Sequence, residues 1–91
     1  MLFAEAVEWR KTEGKTFSSN FRRSEIEQRD GIDLQECQNV CQENSECAAI
    51  TYNEDRRLCI LRRRTKYGLS EDTFIDRDGV DYYELVGKSM N

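Results

Sequence analysis

The chain has 91 residues, of which 37% are hydrophobic and 35% charged, and it carries a net charge of −4. This length predicts a single domain over residues 1–91, with its core at about 5–87. The acidic balance argues against nucleic acid as the main partner. No apolar run approaches the roughly 20 residues that a membrane-spanning helix needs, so we expect no membrane insertion.

The sequence contains no histidine. Histidine is the commonest general base and a common metal ligand, so its absence excludes every nucleophile arrangement that relies on a histidine base. Aspartate and glutamate are abundant, but no spacing singles out a catalytic pair. We therefore expect that the protein is not an enzyme and that it has no cofactor.

Four cysteines in a chain this short and polar predict disulfides and an oxidising compartment, because a thin core needs a covalent staple. Four cysteines allow three pairings. A zinc site is disfavoured, because one C-x3-C is followed by gaps of five and eleven residues instead of a second short cysteine pair. The first four residues are too short for a signal peptide, so we expect a mature chain or a piece of a larger secreted protein.

The first third of the chain predicts one strand and several turns. Val7 and Trp9 have strand spacing, which indicates a strand over residues 6–11 with Trp9 as a core or rim anchor. Turns are predicted at 12–15 and 29–31. Between them the pattern leaves open whether residues 22–27 form a short strand or irregular structure.

A helix is predicted from Asp33 to about Glu43. Asp33 and Glu36 have the spacing of a capping box, in which the Asp33 carboxylate accepts a backbone N–H of the first turn. One face of this helix is apolar. The residues on that face are Leu34, Cys37, Val40 and Cys41.

Four further strands are predicted, at residues 47–52, 57–62, 73–76 and 80–86, with hairpin turns at 53–55 and 77–79. Tyr52 closes an apolar strand and is expected in the core. Tyr82 and Tyr83 are adjacent on one strand and must face opposite sides, so we expect one of them to be exposed. Residues 87–91 are expected to form a frayed tail.

Acidic residues around Gly79 invite a calcium interpretation. Aligning Gly79 with the glycine of an EF-hand loop places Phe74 at the first ligand position and Leu85 at the last, so that template fails. A turn at the Asp-Gly pair is the better interpretation of Asp76, Asp78 and Asp81.

Taken together, these features resemble the PAN/Apple domain superfamily. The resemblance covers about residues 33–85 and rests on C-x3-C in a helix, CAAITY at 47–52, LCIL at 58–61 and DYYEL at 81–85. It implies an α+β fold in which one α-helix packs across a curved antiparallel β-sheet. It also implies the pairs Cys37–Cys59 and Cys41–Cys47. Many apple domains have a further cysteine pair that links their termini, and this chain lacks it.

The resemblance further implies a non-catalytic extracellular binding or adhesion module within a larger multidomain protein. Its ligand would be a carbohydrate or a protein. An alternative is an assembly module that mediates domain packing or oligomerisation through an exposed edge strand.

Six of the fourteen basic residues lie within eleven positions, followed by a tyrosine. This candidate ligand-binding cluster consists of Arg56, Arg57, Arg62, Arg63, Arg64, Lys66 and Tyr67. On one strand Arg62, Arg64 and Lys66 would share a face and grip sulfate or carboxylate groups, which makes a sulfated, heparin-like glycosaminoglycan a matching ligand. The competing interpretation is a solvated edge strand whose charges discourage aggregation.

Overall fold

The structure is a computed structural model, and it describes residues 8–18 and 22–86. A short 3₁₀ turn at Arg22–Ser24 precedes the third strand. The strands and the helix are, in chain order, β1 (Glu8–Thr12), β2 (Lys15–Phe17), β3 (Glu25–Asp30), α1 (Leu34–Glu43), β4 (Ala49–Asn53), β5 (Leu58–Arg62), β6 (Phe74–Asp76) and β7 (Val80–Val86).

Five strands form one antiparallel sheet in the order β1-β7-β4-β5-β3, and β2 pairs with β6 in a separate two-stranded sheet. Along β4, Ile50 and Tyr52 join the core cluster that contains the helix cysteines. Ala49 joins a second cluster with Phe17 of β2 and Phe74 of β6. Since neighbouring strand residues face opposite sides, the helix covers one face of the large sheet and the small sheet covers part of the other. The predicted α+β fold is confirmed.

Helix α1 begins where the capping residues place it. The Asp33 side chain accepts a hydrogen bond from the Glu36 backbone N–H at 2.8 Å, as predicted. Cys37 and Cys41 are fully buried, and Leu34 and Val40 pack beside them. The predicted apolar face is therefore the face that rests on the sheet.

Two disulfides tie this face to the rest of the chain, and both implied pairs are confirmed. Cys37 is bonded to Cys59 in the middle of β5, with 5.7 Å between their Cα atoms. Cys41 is bonded to Cys47, just before β4, with 5.2 Å between the Cα atoms. The helix is thus held against the two central strands from two positions one turn apart.

Buried apolar residues lie on both faces of the sheet. On the helix side Tyr52 is in the core, as predicted, and its hydroxyl donates to the Ile32 carbonyl at 2.7 Å. Trp9 packs against the same cluster from β1, in agreement with the predicted anchor. The prediction that one of Tyr82 and Tyr83 is exposed is wrong. Tyr83 packs on the helix side, while Tyr82 is covered by the small sheet.

Three aromatic rings make the contact between the two sheets. The Tyr82 ring centroid lies 5.0 Å from that of Phe74 and 5.9 Å from that of Phe17. Phe17 and Phe74 themselves meet edge to face at 5.8 Å. Such aromatic contacts bury large apolar areas, so they fix the small sheet on the large one.

Strand β2 was not predicted, and its first residue lies in the predicted turn at 12–15. The limits of several other strands differ from the predictions by one or two residues. Strand β4 begins at Ala49, two residues later than expected. Strand β3 is a full strand, where the sequence left a short strand or irregular structure open, because β5 pairs with it from Glu25 to Asp30. The turn after it therefore starts at Gly31, which has a φ of 77° that glycine adopts without strain. Residues 6–7 of the predicted first strand and the predicted tail lie outside the described residues.

We expect the two disulfides to contribute unequally to stability. Paired alanine substitution of Cys37 and Cys59 should lower the free energy of unfolding by about 3 kcal/mol, and that of Cys41 and Cys47 by about 2 kcal/mol. Cys37–Cys59 should contribute more because it closes the longer loop, with a sequence separation of 22 residues against 6 for Cys41–Cys47, and a longer loop restricts the unfolded chain more. Urea unfolding of both variants measures the difference. Equal losses, or a larger loss for the shorter loop, would contradict this explanation.

Candidate functional site

The basic cluster does not lie on one strand. Strand β5 ends at Arg62, so the prediction that Arg62, Arg64 and Lys66 share a strand face is wrong. The competing interpretation of an edge strand is also wrong, because β5 lies between β4 and β3. Strand β5 is interior because β3 pairs with its outer side, and it ends at Arg62, the last residue that pairs with β3 and with β4.

Arg62 is buried, with only 5% of its surface exposed. Its guanidinium lies over the Phe17 ring, 4.7 Å from the centroid. Nη1 donates to the Ser24 hydroxyl and Nη2 donates to the Thr51 hydroxyl, each at 3.3 Å. The desolvated guanidinium charge is therefore surrounded by neutral hydroxyls and the face of an aromatic ring.

No carboxylate compensates this charge directly. Within residues 8–18 and 22–86, Arg62 forms no ion pair, and its buried Nε has no hydrogen-bond acceptor. Burial lowers the pKa of the Arg62 guanidinium to about 10, while the negative charge of Glu25 raises it in part. The group is still a cation at neutral pH. A buried cation without a partner ordinarily costs several kcal/mol.

Arg62 lines a groove of about 310 Å³ on the sheet face opposite the helix. Leu58, Ile60 and Val80 supply half-buried apolar surface from β5 and β7. The other lining residues are polar, charged or aromatic: Thr16, Phe17, Ser18, Glu25, Gln28, Thr51, Asn53, Arg56, Arg62 and Arg77. The groove is therefore bounded by β2 on one side and by β3 on the other.

Positive charge dominates this groove, which contains three arginines and one glutamate. Arg56 comes from the β4–β5 hairpin, where its backbone N–H donates to the Asn53 side chain at 3.1 Å. Arg77 comes from the turn between β6 and β7, which is held by a bond from its N–H to the Gly14 carbonyl at 2.8 Å. The sequence predicted Arg56 and Arg62 but missed Arg77, because only the packing of the small sheet brings that turn to the groove.

The other arginines of the predicted cluster point elsewhere. Arg57 is exposed in the β4–β5 hairpin with a φ of 52°. Arg63 is exposed and pairs with Glu46, with 3.6 Å between Nη1 and Oε2. Neither residue lines the groove.

Arg64, Lys66 and Tyr67 form a second basic surface together with Arg10, which we call the Tyr67 patch. Tyr67 is 55% exposed, and its hydroxyl accepts from Arg10 Nη1 at 3.1 Å. Arg64 Nη2 donates to the Tyr67 carbonyl at 2.9 Å, and Lys66 Nζ lies 5.8 Å from the Tyr67 ring centroid. The patch thus combines an exposed ring with three cations from β1 and from the segment that follows β5.

Tyr82 holds this segment in place. Its hydroxyl accepts from the Lys66 backbone N–H at 2.9 Å and donates to Glu84 Oε1 at 3.1 Å. Burial raises the pKa of the Tyr82 phenol above its usual 10.0, and the nearby Glu84 raises it further against the opposing bond from Lys66. The phenol therefore stays protonated well into the alkaline range.

The turn predicted at Gly79 is confirmed, and two of the acidic residues around it contact Gly14 and Lys15. Gly79 has a φ of 83°, and the Val80 N–H donates to the Arg77 carbonyl at 3.4 Å. Asp81 Oδ1 accepts from the Gly14 N–H at 3.0 Å, and Asp76 pairs with Lys15 at 2.8 Å. The zinc alternative is likewise removed, because all four cysteines are in disulfides and have no thiolate to offer.

A helix packed on an antiparallel sheet by two nested disulfides defines a small, disulfide-stabilised domain of the kind common among secreted proteins. A family model described as the PAN domain matches residues 8–87. The chain belongs to the PAN domain family, whose members are generally non-catalytic modules that bind proteins or carbohydrates. No curated protein matches the chain. Among the described residues, no helix has the length and apolar character needed to cross a membrane.

Tyr82→Phe tests the alkaline behaviour of the buried phenol. Near neutral pH the free energy of unfolding of the variant should be about 1 to 2 kcal/mol lower than that of the wild type, because the Lys66 N–H and Glu84 lose their common partner. Above the ordinary tyrosine pKa only the unfolded wild type ionises at this position, so the wild type loses stability that the variant keeps. From about pH 8 to about pH 10.5 the difference in free energy of unfolding between the wild type and the variant should shrink by about 0.8 kcal/mol. Urea unfolding at both pH values measures it, and a constant difference would contradict the assigned pKa direction.

Arg62→Met should leave the free energy of unfolding unchanged or raise it. Methionine keeps an apolar stem on Phe17 and removes a buried charge that has no partner. The adjacent Leu61→Ala is the matched control, because Leu61 is fully buried and its truncation should cost about 2 to 5 kcal/mol. If both variants lose the same amount in urea unfolding, Arg62 is a structural element of the core.

Proposed function

We propose that this PAN domain is a secreted, non-catalytic adhesion module that recognises a carbohydrate in the groove opposite the helix. The observation that carries this proposal is the groove itself, which is open on the sheet face that the small sheet leaves partly uncovered. Ligand sites in proteins run from about 300 to 1,000 Å³, so this groove has room for one sugar ring rather than a long segment.

The lining suits a sugar. Thr16, Asn53 and Gln28 offer hydroxyl and carboxamide groups, which both donate to and accept from sugar hydroxyls. The half-buried aliphatic surface of β5 and β7 lies between them and matches the apolar C–H face of a pyranose. Such a mixture of apolar floor and a few placed polar groups is typical of small-ligand sites.

An extracellular setting agrees with the two disulfides, which persist in oxidising compartments. Membership of the PAN family supports a role within a larger protein. Binding without turnover agrees with the groove chemistry, since Glu25 is the one carboxylate among the lining residues and glycoside hydrolysis ordinarily uses two.

The Tyr67 patch is the second candidate contact for a glycan. Its three cations and exposed ring suit an extended sulfated chain, such as a glycosaminoglycan, that lies across the surface instead of entering the groove. The predicted cluster is thus divided between two surfaces. Arg56 and Arg62 line the groove, whereas Arg64, Lys66 and Tyr67 belong to the Tyr67 patch.

Protein assembly is the alternative function, and strand β3 is the feature that favours it. It lies at the end of the large sheet, so one side of its backbone is open to pairing with another strand. Its exposed end carries Gln28, Arg29 and Asp30, and charged residues discourage edge-to-edge pairing. Sedimentation at high protein concentration separates the two functions, because an assembly module would self-associate.

A glycan array with neutral, sialylated, uronic-acid and sulfated members tests the main proposal. Ile60→Trp places a large ring in the middle of the groove and should abolish glycan binding. Asn39→Trp is the matched control, because it adds the same ring to an exposed position of the helix on the opposite side. It should bind as the wild type does, and both variants should unfold at the same urea concentration as the wild type within error.

Arrays at low and high salt add a second readout, because salt screens exposed charge pairs more than buried ones. Binding that survives Ile60→Trp and falls steeply with salt would move the site to the Tyr67 patch. No binding to any glycan would overturn the carbohydrate proposal, and recovery of a specific protein with the domain as bait would then establish a protein ligand.

A further inference from the structure

We infer that Arg62 is the recognition point for the carboxylate of an acidic sugar, of the uronic or sialic acid class. This inference rests on the proposed function, because it specifies which sugar the groove accepts. It narrows the ligand from any glycan to one that carries a carboxylate directly on the sugar ring.

The first observation is the unsatisfied donor capacity of Arg62. A guanidinium has five N–H donors. Within the described residues two of them are used, toward Ser24 and Thr51, and the N–H of Nε has no acceptor. Buried polar groups are nearly always satisfied, so the guanidinium that lines the groove is short of hydrogen-bond acceptors among these residues.

The second observation is the absence of a protein counter-ion. Arg62 is 5% exposed and forms no ion pair within residues 8–18 and 22–86. An anionic ligand supplies the missing negative charge. Because the surroundings are largely shielded from water, the attraction between the two charges is much stronger there than at an exposed arginine.

The third observation is that the guanidinium is already positioned. Phe17 supports its plane at 4.7 Å, and two hydroxyls fix its Nη atoms. A ligand therefore gains its hydrogen bonds without the entropy cost of ordering a long side chain. Each Nη atom has a second N–H beyond the one given to a hydroxyl, and paired N–H groups of a guanidinium match the two oxygens of a carboxylate.

Arg56 and Arg77 extend this preference over the rest of the groove. Both are exposed, and they bring two further positive charges to a groove whose one negative side chain is Glu25. On a protein with a net charge of −4 this is a local reversal of sign. It attracts anionic ligands to the groove even though the protein as a whole repels them.

A carboxylate on a sugar ring fits better than a sulfate ester or a peptide carboxylate. A sulfate ester has a bulkier, tetrahedral anionic group than the planar carboxylate, and the buried position of Arg62 favours the flatter group. The hydroxyls and carboxamides around the apolar floor are placed for the hydroxyl groups of a ring and have no counterpart on a short peptide end.

The test follows the arginine Nε–H signals of the folded domain by ¹H–¹⁵N NMR. The probes are D-glucuronate, N-acetylneuraminate, D-glucose and N-acetylalanine, added at constant ionic strength. The Arg62 signal is assigned by its disappearance in Arg62→Met. We expect it to shift and saturate with one or both of the acidic sugars and to stay in place with glucose, and the stronger of the two identifies the sugar class.

Variants separate a specific site from general charge attraction. Arg62→Lys keeps the charge but loses the planar fork, and it should weaken binding of the acidic sugar at least tenfold. Arg56→Gln with Arg77→Gln should weaken it severalfold. Arg57→Gln with Arg63→Gln changes the net charge by the same amount away from the groove, and it should have no effect.

Three results would overturn the inference. One is an Arg62 signal that moves with neither acidic sugar. Another is an equal shift with glucose, and the third is an equal or larger shift with N-acetylalanine. Suppose that a neutral glycan binds on the array, that Ile60→Trp blocks it, and that the Arg62 NMR signal does not shift. This result would support the proposed function and contradict only the present inference. If no glycan bound in the groove of the wild-type domain, the proposed function itself would be overturned.

Discussion

The link between α1 and the two central strands is the constraint on which the rest of the structure depends. The thin apolar face of a short, polar helix would hold weakly to a sheet by burial alone. Two disulfides one helical turn apart fix both its position and its rotation, since Cys37 reaches β5 and Cys41 reaches the start of β4. With the helix fixed, Ile50, Tyr52 and Leu61 have a defined surface to pack on.

Because the helix covers one face of the large sheet, the groove lies on the opposite face. That face is not fully closed, because the small sheet of β2 and β6 packs over Tyr82 and Ala49 and leaves the surface of β5 beside it open. The aromatic contacts that attach the small sheet also support Arg62 through Phe17. The same side chain thus serves the packing of the two sheets and the position of the buried cation.

The surroundings of Arg62 differ from those of an ordinary structural arginine. A structural buried arginine has a carboxylate beside it, since breaking such a pair leaves an uncompensated charge. Within the part of the chain that the structure describes, Arg62 has hydroxyls, a ring and an unused donor instead, with Glu25 acting only at longer range. The exposed arginines 57 and 63 look equally basic in the sequence, yet water and, for Arg63, an acidic neighbour already satisfy them. Burial rather than charge separates the members of the cluster.

Much of the framework follows from short-range sequence patterns. The cap at Asp33, the spacing of the cysteines and the apolar strand at 47–52 are local patterns, and each led to the correct element because capping and side-chain periodicity act over a few residues. The groove, by contrast, depends on long-range contacts. Pairing of β3 with β5 makes β5 an interior strand instead of an edge. Packing of the small sheet buried Tyr82 and brought Arg77 to the groove, 15 residues along the chain from Arg62. These contacts join residues distant in sequence, so no local pattern encodes them.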